Sequence, residues 1–430
     1  MLYQLSNRDL VSARKFEVRK LFLVLILLAI IFTSSVFASS AYSPSPQLAH
    51  ATRDSKYPMT LTSPNAQSGG YFGGSVSISG KLAVVGAPSE NADGYDYAGH
   101  AYVFNASTGK LLQNLTSPNA QEGGSFGNAI AFSGKLAVVG APGENADGYS
   151  SAGHAYVFSA STGKLITTLT SPNAQEDGYF GYAVAISGKL AIVGAPYETA
   201  NGYDYAGHAY VFSASTGKLL QNLTSPNAQS GGIFGYAVAI SGKFAIVGAF
   251  FETANGESYA GHAYVFSAST GKLIMTLTSP NAQYQGYFGG AVAISGKFAI
   301  VGAYGETGDG YYEAGHAYVF SASTGKLLQN LTSPNAQERG YFGFAVGISG
   351  KLAIVGAFGE TADGYSSAGH AYVFGASTGR LLQNLTSPNA QEYGIFGASV
   401  SISGKLAVVG APGETADGYT GAGHAYLFKK

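Results

Sequence analysis

The 430-residue chain has no cysteine and no tryptophan, and only 11% of its residues are charged, where about 25% is usual for a globular protein. Without cysteine there is no disulfide framework, no thiolate metal site and no sulfur nucleophile. A formal net charge of −1 argues against a generally basic nucleic-acid binder, so no nucleic-acid partner is expected. Long apolar runs are also scarce. The longest, residues 21–32, is 12 residues long, short of the roughly 20 that a bilayer-spanning helix needs. What the chain does have is 61 glycines, 30 tyrosines and 25 phenylalanines, a composition of turns and aromatic strands.

Arg14, Lys15, Arg19 and Lys20 precede the apolar run, and small residues up to Ala38 follow it. A basic region, an apolar stretch and a small residue at a cleavage point describe a secretory signal peptide over residues 1–38. If the segment is not cleaved, it serves as a membrane anchor. In both cases the rest of the chain is expected outside the cytoplasm, secreted or at the cell surface. Residues 39–56 contain Ser and Pro without periodicity and read as a linker.

From residue 57 the sequence repeats itself seven times. Leu-Thr-Ser-Pro-Asn-Ala-Gln begins at Leu61, Leu115, Leu169, Leu223, Leu277, Leu331 and Leu385, always 54 residues apart. Such a period, with turn residues between short β-like runs, marks a solenoid, propeller or array. Each copy reads as four strands. In the first copy, strand A is expected over residues 72–79, with Val76 and Ile78 alternating with serines. Strands B and C are near-continuous apolar runs over 82–87 and 100–104, and strand D covers 111–117. Four antiparallel strands per copy fit a propeller blade. The repeats open with a strand-D copy, residues 60–63, and end after strands A, B and C. The first strand can therefore complete the last blade and close the ring. The expected fold is all-β: a seven-bladed β-propeller over residues 57–430.

Phe-Gly stands at Phe72-Gly73 and its six copies. Gly-Ala-Pro stands whole at Gly86-Ala87-Pro88, Gly140-Ala141-Pro142, Gly194-Ala195-Pro196 and Gly410-Ala411-Pro412, while Phe250, Tyr304 and Phe358 replace the proline elsewhere. These motifs resemble the FG-GAP repeat family, which includes the seven-bladed propeller heads of integrin α chains. The resemblance implies the propeller fold over all seven repeats and carries little about function, since one fold hosts many functions. It departs from integrins where they carry Asp-rich calcium loops, between strands A and B. Here that turn is Ser79-Gly80-Lys81 and its copies, too short to supply six to eight oxygens. Neither a metal nor any other cofactor is expected.

Differences between copies concentrate in the D-to-A and B-to-C loops. In an up-and-down blade these share one side of the disc, the loop face, and the A-to-B and C-to-D turns share the other, the turn face. Of 22 acidic residues after the signal segment, 21 fall in loop-face segments, and 13 of 18 basic residues fall in the tight turns. The disc is thus expected to carry about −20 on one side and +13 on the other, a field that steers charged partners. Variable tyrosine-bearing loops on a rigid scaffold resemble a binding surface. The candidate ligand-contacting residues are Glu90, Asp93, Tyr95, Glu144, Asp147, Glu198, Tyr203, Glu252, Glu257, Glu306, Asp309, Tyr311, Glu313, Glu360, Asp363, Glu414 and Asp417.

Seven histidines, His100 and its copies, begin strand C. A His beside a Glu suits acid–base or zinc chemistry, yet a sevenfold ring spreads equivalent groups apart, where a catalytic or metal site needs convergent ones. A structural role, each ring bonded to a nearby carboxylate or backbone group, is the expectation, and no catalytic residue is assigned. Carboxylates spaced as Glu90 and Asp93 suit loop capping better than weak calcium binding. Asn105, Asn114, Asn222, Asn330 and Asn384 stand in glycosylation sequons. The sequence reads as a non-enzymatic binding or adhesion module for an extracellular protein or glycan. Two alternatives are a structural protein that self-associates through oppositely charged faces and a propeller enzyme with an unrecognised pocket.

Overall fold

The computed structural model describes residues 56–430. The signal segment at 1–38 and the linker at 39–56, Lys56 excepted, lie outside the described residues. The first repeat forms strands Ser75–Ser79, Leu82–Ala87, His100–Asn105 and Leu111–Leu115, paired in sequence order and antiparallel. Strands B and C read as continuous apolar runs because both of their faces are covered: Ala83, Val84, Val85, Ala101 and Val103 have no exposed surface. Six such sheets follow one another, and a seventh is built from Ser399–Ser403, Leu406–Ala411, His424–Lys429 and Met59–Leu61.

Strands A and D depart from the sequence expectation by more than one residue. Strand A starts at Ser75, not 72, because the positive φ of Gly73 and a Gly74 N–H donated to Tyr71 O turn the chain there. Only the fifth blade runs its inner strand from the Phe-Gly motif, as Phe288–Ser295. Strand D stops near Leu115 because Ser117 Oγ accepts the Asn119 N–H around Pro118, forming a local turn.

The core lies between blades. One buried cluster takes Val138, Ala155 and Val157 from the second blade and Val184, Val193, Tyr210 and Phe212 from the third, and the other clusters join neighbouring blades in the same way. The Phe-Gly phenylalanine is the wedge. Phe72 is fully buried and meets Phe104 edge-on at 6.0 Å, an arrangement aromatic quadrupoles favour. The glycines permit the closest approach. A Cβ on Gly194, in a Gly-Ala-Pro triplet, would lie 1.9 Å from Gly235 O in the next blade's Phe-Gly pair. The two signature motifs are the two halves of one backbone contact.

Adjacent blades also share backbone hydrogen bonds. Gly123, Ser125 and Phe126 donate to the carbonyls of Asp96, Tyr97 and Ala98 in the preceding blade at 2.8–3.0 Å. Gly69, Tyr71 and Phe72 make the same three bonds to Thr420, Gly421 and Ala422. With Thr60 paired to Tyr426, the seam between first and last blades matches the other junctions, and the ring is closed. Serines near the end of strand A cap the inner edge: Ser133 Oγ accepts from Gly188 N–H in the next blade, as Ser187 does from Gly242 and Ser403 from Gly80. Unpaired edge amides therefore find partners without another strand.

Candidate functional site

The histidines and glutamates form a buried polar contact in every blade. Glu198 follows strand B, is held by backbone bonds to Ala195 and Gly207, and has no exposed surface. Tyr210 donates its hydroxyl to Glu198 Oε2 at 2.5 Å, and Ser171, just past the end of the preceding strand D, donates to Oε1. His208 stacks on Tyr210 with centroids 5.4 Å apart and places Nδ1 3.0 Å from the same carboxylate, with its N–H direction off the line of a hydrogen bond. Burial, then the glutamate charge, hold Tyr102, Tyr156, Tyr210, Tyr264, Tyr318, Tyr372 and Tyr426 far above the ordinary phenol value. The phenols thus remain hydroxyl donors.

This burial corrects the candidate ligand set. Glu90, Glu144, Glu198, Glu252, Glu306, Glu360 and Glu414 are 0% exposed and pair inward, so none of them reaches a partner on the loop face. The run of acids concealed a division of labour. Each glutamate packs beneath the loop, while the aspartate or asparagine three residues later stands at its tip. Glu90 and Asp93 therefore do not form a carboxylate pair.

The tip has a defined geometry. Ala92 and Tyr95 exchange both backbone hydrogen bonds around Asp93 and Gly94, whose φ values are +52° and +85°. Two positive-φ residues closing a two-residue hairpin make a type I′ turn, the reason for Asp-Gly or Asn-Gly here. The same miniature hairpin recurs in all seven blades. It lifts Tyr95, Tyr149, Tyr203, Tyr311, Tyr365 and Tyr419 to 47–49% exposure, with Glu257 exposed in the fourth blade. Asp147, Asp309, Asp363 and Asp417 are exposed beside them, and Glu313 is half-buried, 3.6 Å from Arg339. The D-to-A and B-to-C loops share a side because they hydrogen-bond each other between blades. With the seven glutamates buried, 14 acidic residues remain there and one cation, Arg339.

On the opposite side the A-to-B and C-to-D turns join: Ala106 N–H donates to Lys81 O at 2.8 Å. Gly80, with φ +60°, occupies the first central position of a two-residue turn and the exposed Lys81 the second, as a II′ hairpin requires. Asn114, Asn222, Asn330 and Asn384 stand exposed on strand D, whereas Asn105 Oδ1 accepts the Ser107 and Thr108 amides.

One group of aromatic residues was not singled out from the sequence. Beside the start of the inner strands, Tyr182 and Tyr236 meet at 4.9 Å, Tyr236 and Phe250 at 4.3 Å, Tyr304 and Phe344 at 5.3 Å, and Phe344 and Phe358 at 4.6 Å. They form a continuous aromatic sector over the third to sixth blades. The first, second and seventh blades have Gly74, Asn128 and Ala398 where Tyr182 and Tyr236 stand. The available signal was the loss of proline from three of the Gly-Ala-Pro triplets. This sector breaks the sevenfold symmetry of the loop side.

Fold and motif geometry together define a seven-bladed β-propeller. The FG-GAP repeat model matches residues 59–104, 111–158, 165–212, 219–266, 273–320, 327–374 and 380–428, and the chain belongs to that family. Among solved structures it is similar in fold to the computationally designed Ika8 protein, with 17% identity over 87% of this chain and 100% of that one, at a TM-score of 0.50. No curated protein matches.

Proposed function

We propose that this propeller is a secreted or surface-displayed, non-enzymatic binding module that holds an extracellular protein or glycan on its loop face. The observation that carries the reading is the ring of hairpin tips, each backed by a buried Glu–Tyr–His contact and most of them offering a half-exposed tyrosine. Tyrosine gives contact area and one hydrogen bond at small entropic cost, and a rigid support lowers the ordering cost of binding. The aromatic sector of the third to sixth blades supports one preferred ligand orientation over seven equivalent ones. The remaining acids favour a cationic partner surface.

The test is a glycan and surface-protein array probed with the exported protein, followed by two variant sets on any ligand found. Asp309→Asn, Tyr311→Ala, Tyr312→Ala and Glu313→Gln together should weaken binding at least tenfold, because they strip one tip and its acids. Lys297→Gln, Lys326→Gln and Lys351→Gln on the opposite side should leave it unchanged. The reverse ranking refutes the loop-face assignment. Sign separation also favours a second reading, in which discs stack acidic face to basic face as a heterologous contact. Equal loss from both sets, with sedimentation that grows as salt falls, would identify that assembly.

A further inference from the structure

We propose that the turn face docks on an anionic lipid bilayer. Three independent features of that face converge on this partner. The first is charge. Lys81, Lys135, Lys189, Lys243, Lys297, Lys351 and Lys405 on the A-to-B turns are all exposed, as are Lys110, Lys164, Lys218, Lys272, Lys326 and Arg380 on the C-to-D turns. Lys56, Lys429 and Lys430 lie at the same end of the strands, and no described Asp or Glu does. A flat disc with 16 cations and no acid on one side complements a surface of lipid phosphates.

The second feature is a β-bulge repeated in six blades. In the first, Phe104 pairs with Leu111 while the adjacent Val103 pairs with Gln113, so Leu112 has no partner and turns outward. The same shift frees Ile166, Leu220, Ile274, Leu328 and Leu382. A bulge re-aims side chains. In the second, third and fourth blades it sets two consecutive aliphatics at the surface, for example Leu165 at 43% and Ile166 at 39% exposure, directly after the exposed Lys164. Each of the six outer strands thus begins with a cation and at least one exposed aliphatic at the rim of the turn face; Leu111, Leu328 and Leu381, the other members of the pair in the first, fifth and sixth blades, are half-buried against the core. Apolar contact beneath lipid head groups together with basic residues at phosphate level is the pairing that interfacial binding needs, since one such signal alone holds only weakly.

The third feature is where the chain enters the ring. The seventh blade lacks the bulged pair, and in its place the polypeptide arrives: Tyr57 OH donates to Ala106 O at 3.1 Å and Lys56 Nζ to Ser107 O, both on a C-to-D turn. The sequence that precedes this point contains the basic cluster Arg14, Lys15, Arg19 and Lys20 and the apolar run at 21–32. The described chain enters the ring at its basic, aliphatic-rimmed side.

The absence of native cysteine makes the test direct. Full-length chain carrying Ser215→Cys on a C-to-D turn, Leu220→Cys on the rim, or Tyr203→Cys on a loop tip is labelled with an environment-sensitive fluorophore. Each labelled chain is then mixed with phosphatidylserine-containing or pure phosphatidylcholine vesicles that include a quencher-bearing lipid. The Ser215 and Leu220 labels should be quenched in the anionic vesicles and the Tyr203 label should not. Lys218→Gln, Lys272→Gln and Lys326→Gln should each reduce turn-face quenching by about fivefold in lipid titrations, and 1 M salt, with a screening length of about 3 Å, should abolish the anionic preference. Equal quenching of the Tyr203 label, no quenching at Ser215 and Leu220, or quenching unaffected by lysine removal overturns the proposal. Circular dichroism of each variant separates these outcomes from misfolding. Because loop-face binding is read separately on the array, failure of one assignment leaves the other standing.

Discussion

The buried tyrosines give the residue scale its clearest chemistry. Each donates to a fully buried glutamate, and burial followed by that charge raises its pKa far above the ordinary phenol value. A raised folded-state pKa contributes stability that is complete below the unfolded value and is lost as pH rises toward the folded one. The window therefore opens at about pH 10. Above it each of the seven tyrosines costs about 1.4 kcal/mol per pH unit, together about 10, against a typical total of 5–15 kcal/mol. Cooperative unfolding is expected by about pH 11 to 12, with the seven buried tyrosines' share of the tyrosinate absorbance appearing together with the loss of β circular dichroism. Tyrosinate absorbance from all 30 tyrosines while the sheet signal persists would show that these hydroxyls are not buried against charge.

At the scale of elements, the junction between blades is set by glycine more than by the strands. Gly194 and Gly235 bring two backbones into contact with no room for a side chain, since an added Cβ would lie 1.9 Å from a carbonyl oxygen. Gly194→Ala should therefore cost at least 1–3 kcal/mol through overpacking, measured as a lowered denaturant midpoint. Gly202→Ala is the contrasting variant. Its Cβ meets nothing within 4 Å, and only the φ of +81° opposes it, a local strain of about 1 kcal/mol. If the two variants are equally stable, the backbone contact is not what couples the blades. The bulge in strand D acts between elements too, because a shift of one residue leaves an aliphatic such as Leu112 without a cross-strand partner and 40% exposed.

For the whole molecule, closure depends on three residues. Met59–Leu61 completes the last sheet and buries Leu61 to 2% exposure. Deleting residues 57–64 removes that strand and reopens an edge in the last blade. The melting temperature should fall, and proteolysis should start in the blade of residues 399–429 before any other. Unchanged melting with uniform proteolysis would mean that the strand merely decorates a ring stable without it. The sidedness of charge is likewise a property of the whole disc, invisible in a net of −1.

The number of blades, the four strands in each and the phase that closes the ring are legible in the sequence, because a period of 54 and alternation at two residues are local patterns repeated seven times. Leu82–Ala87 was legible to the residue for the same reason. The candidate site was legible only in part. Asp93 and Tyr95 emerge where their loop suggested, but Glu90, three residues before Asp93, turns inward. Nothing in its spacing reveals a tyrosine hydroxyl 2.5 Å away on the next strand. Tertiary structure alone decided the fate of that carboxylate, the contact of Tyr182 with Tyr236 across a blade boundary, and the outward turn of Leu112. Each depends on which atoms of different strands or blades meet, and packing fixes that where periodicity does not.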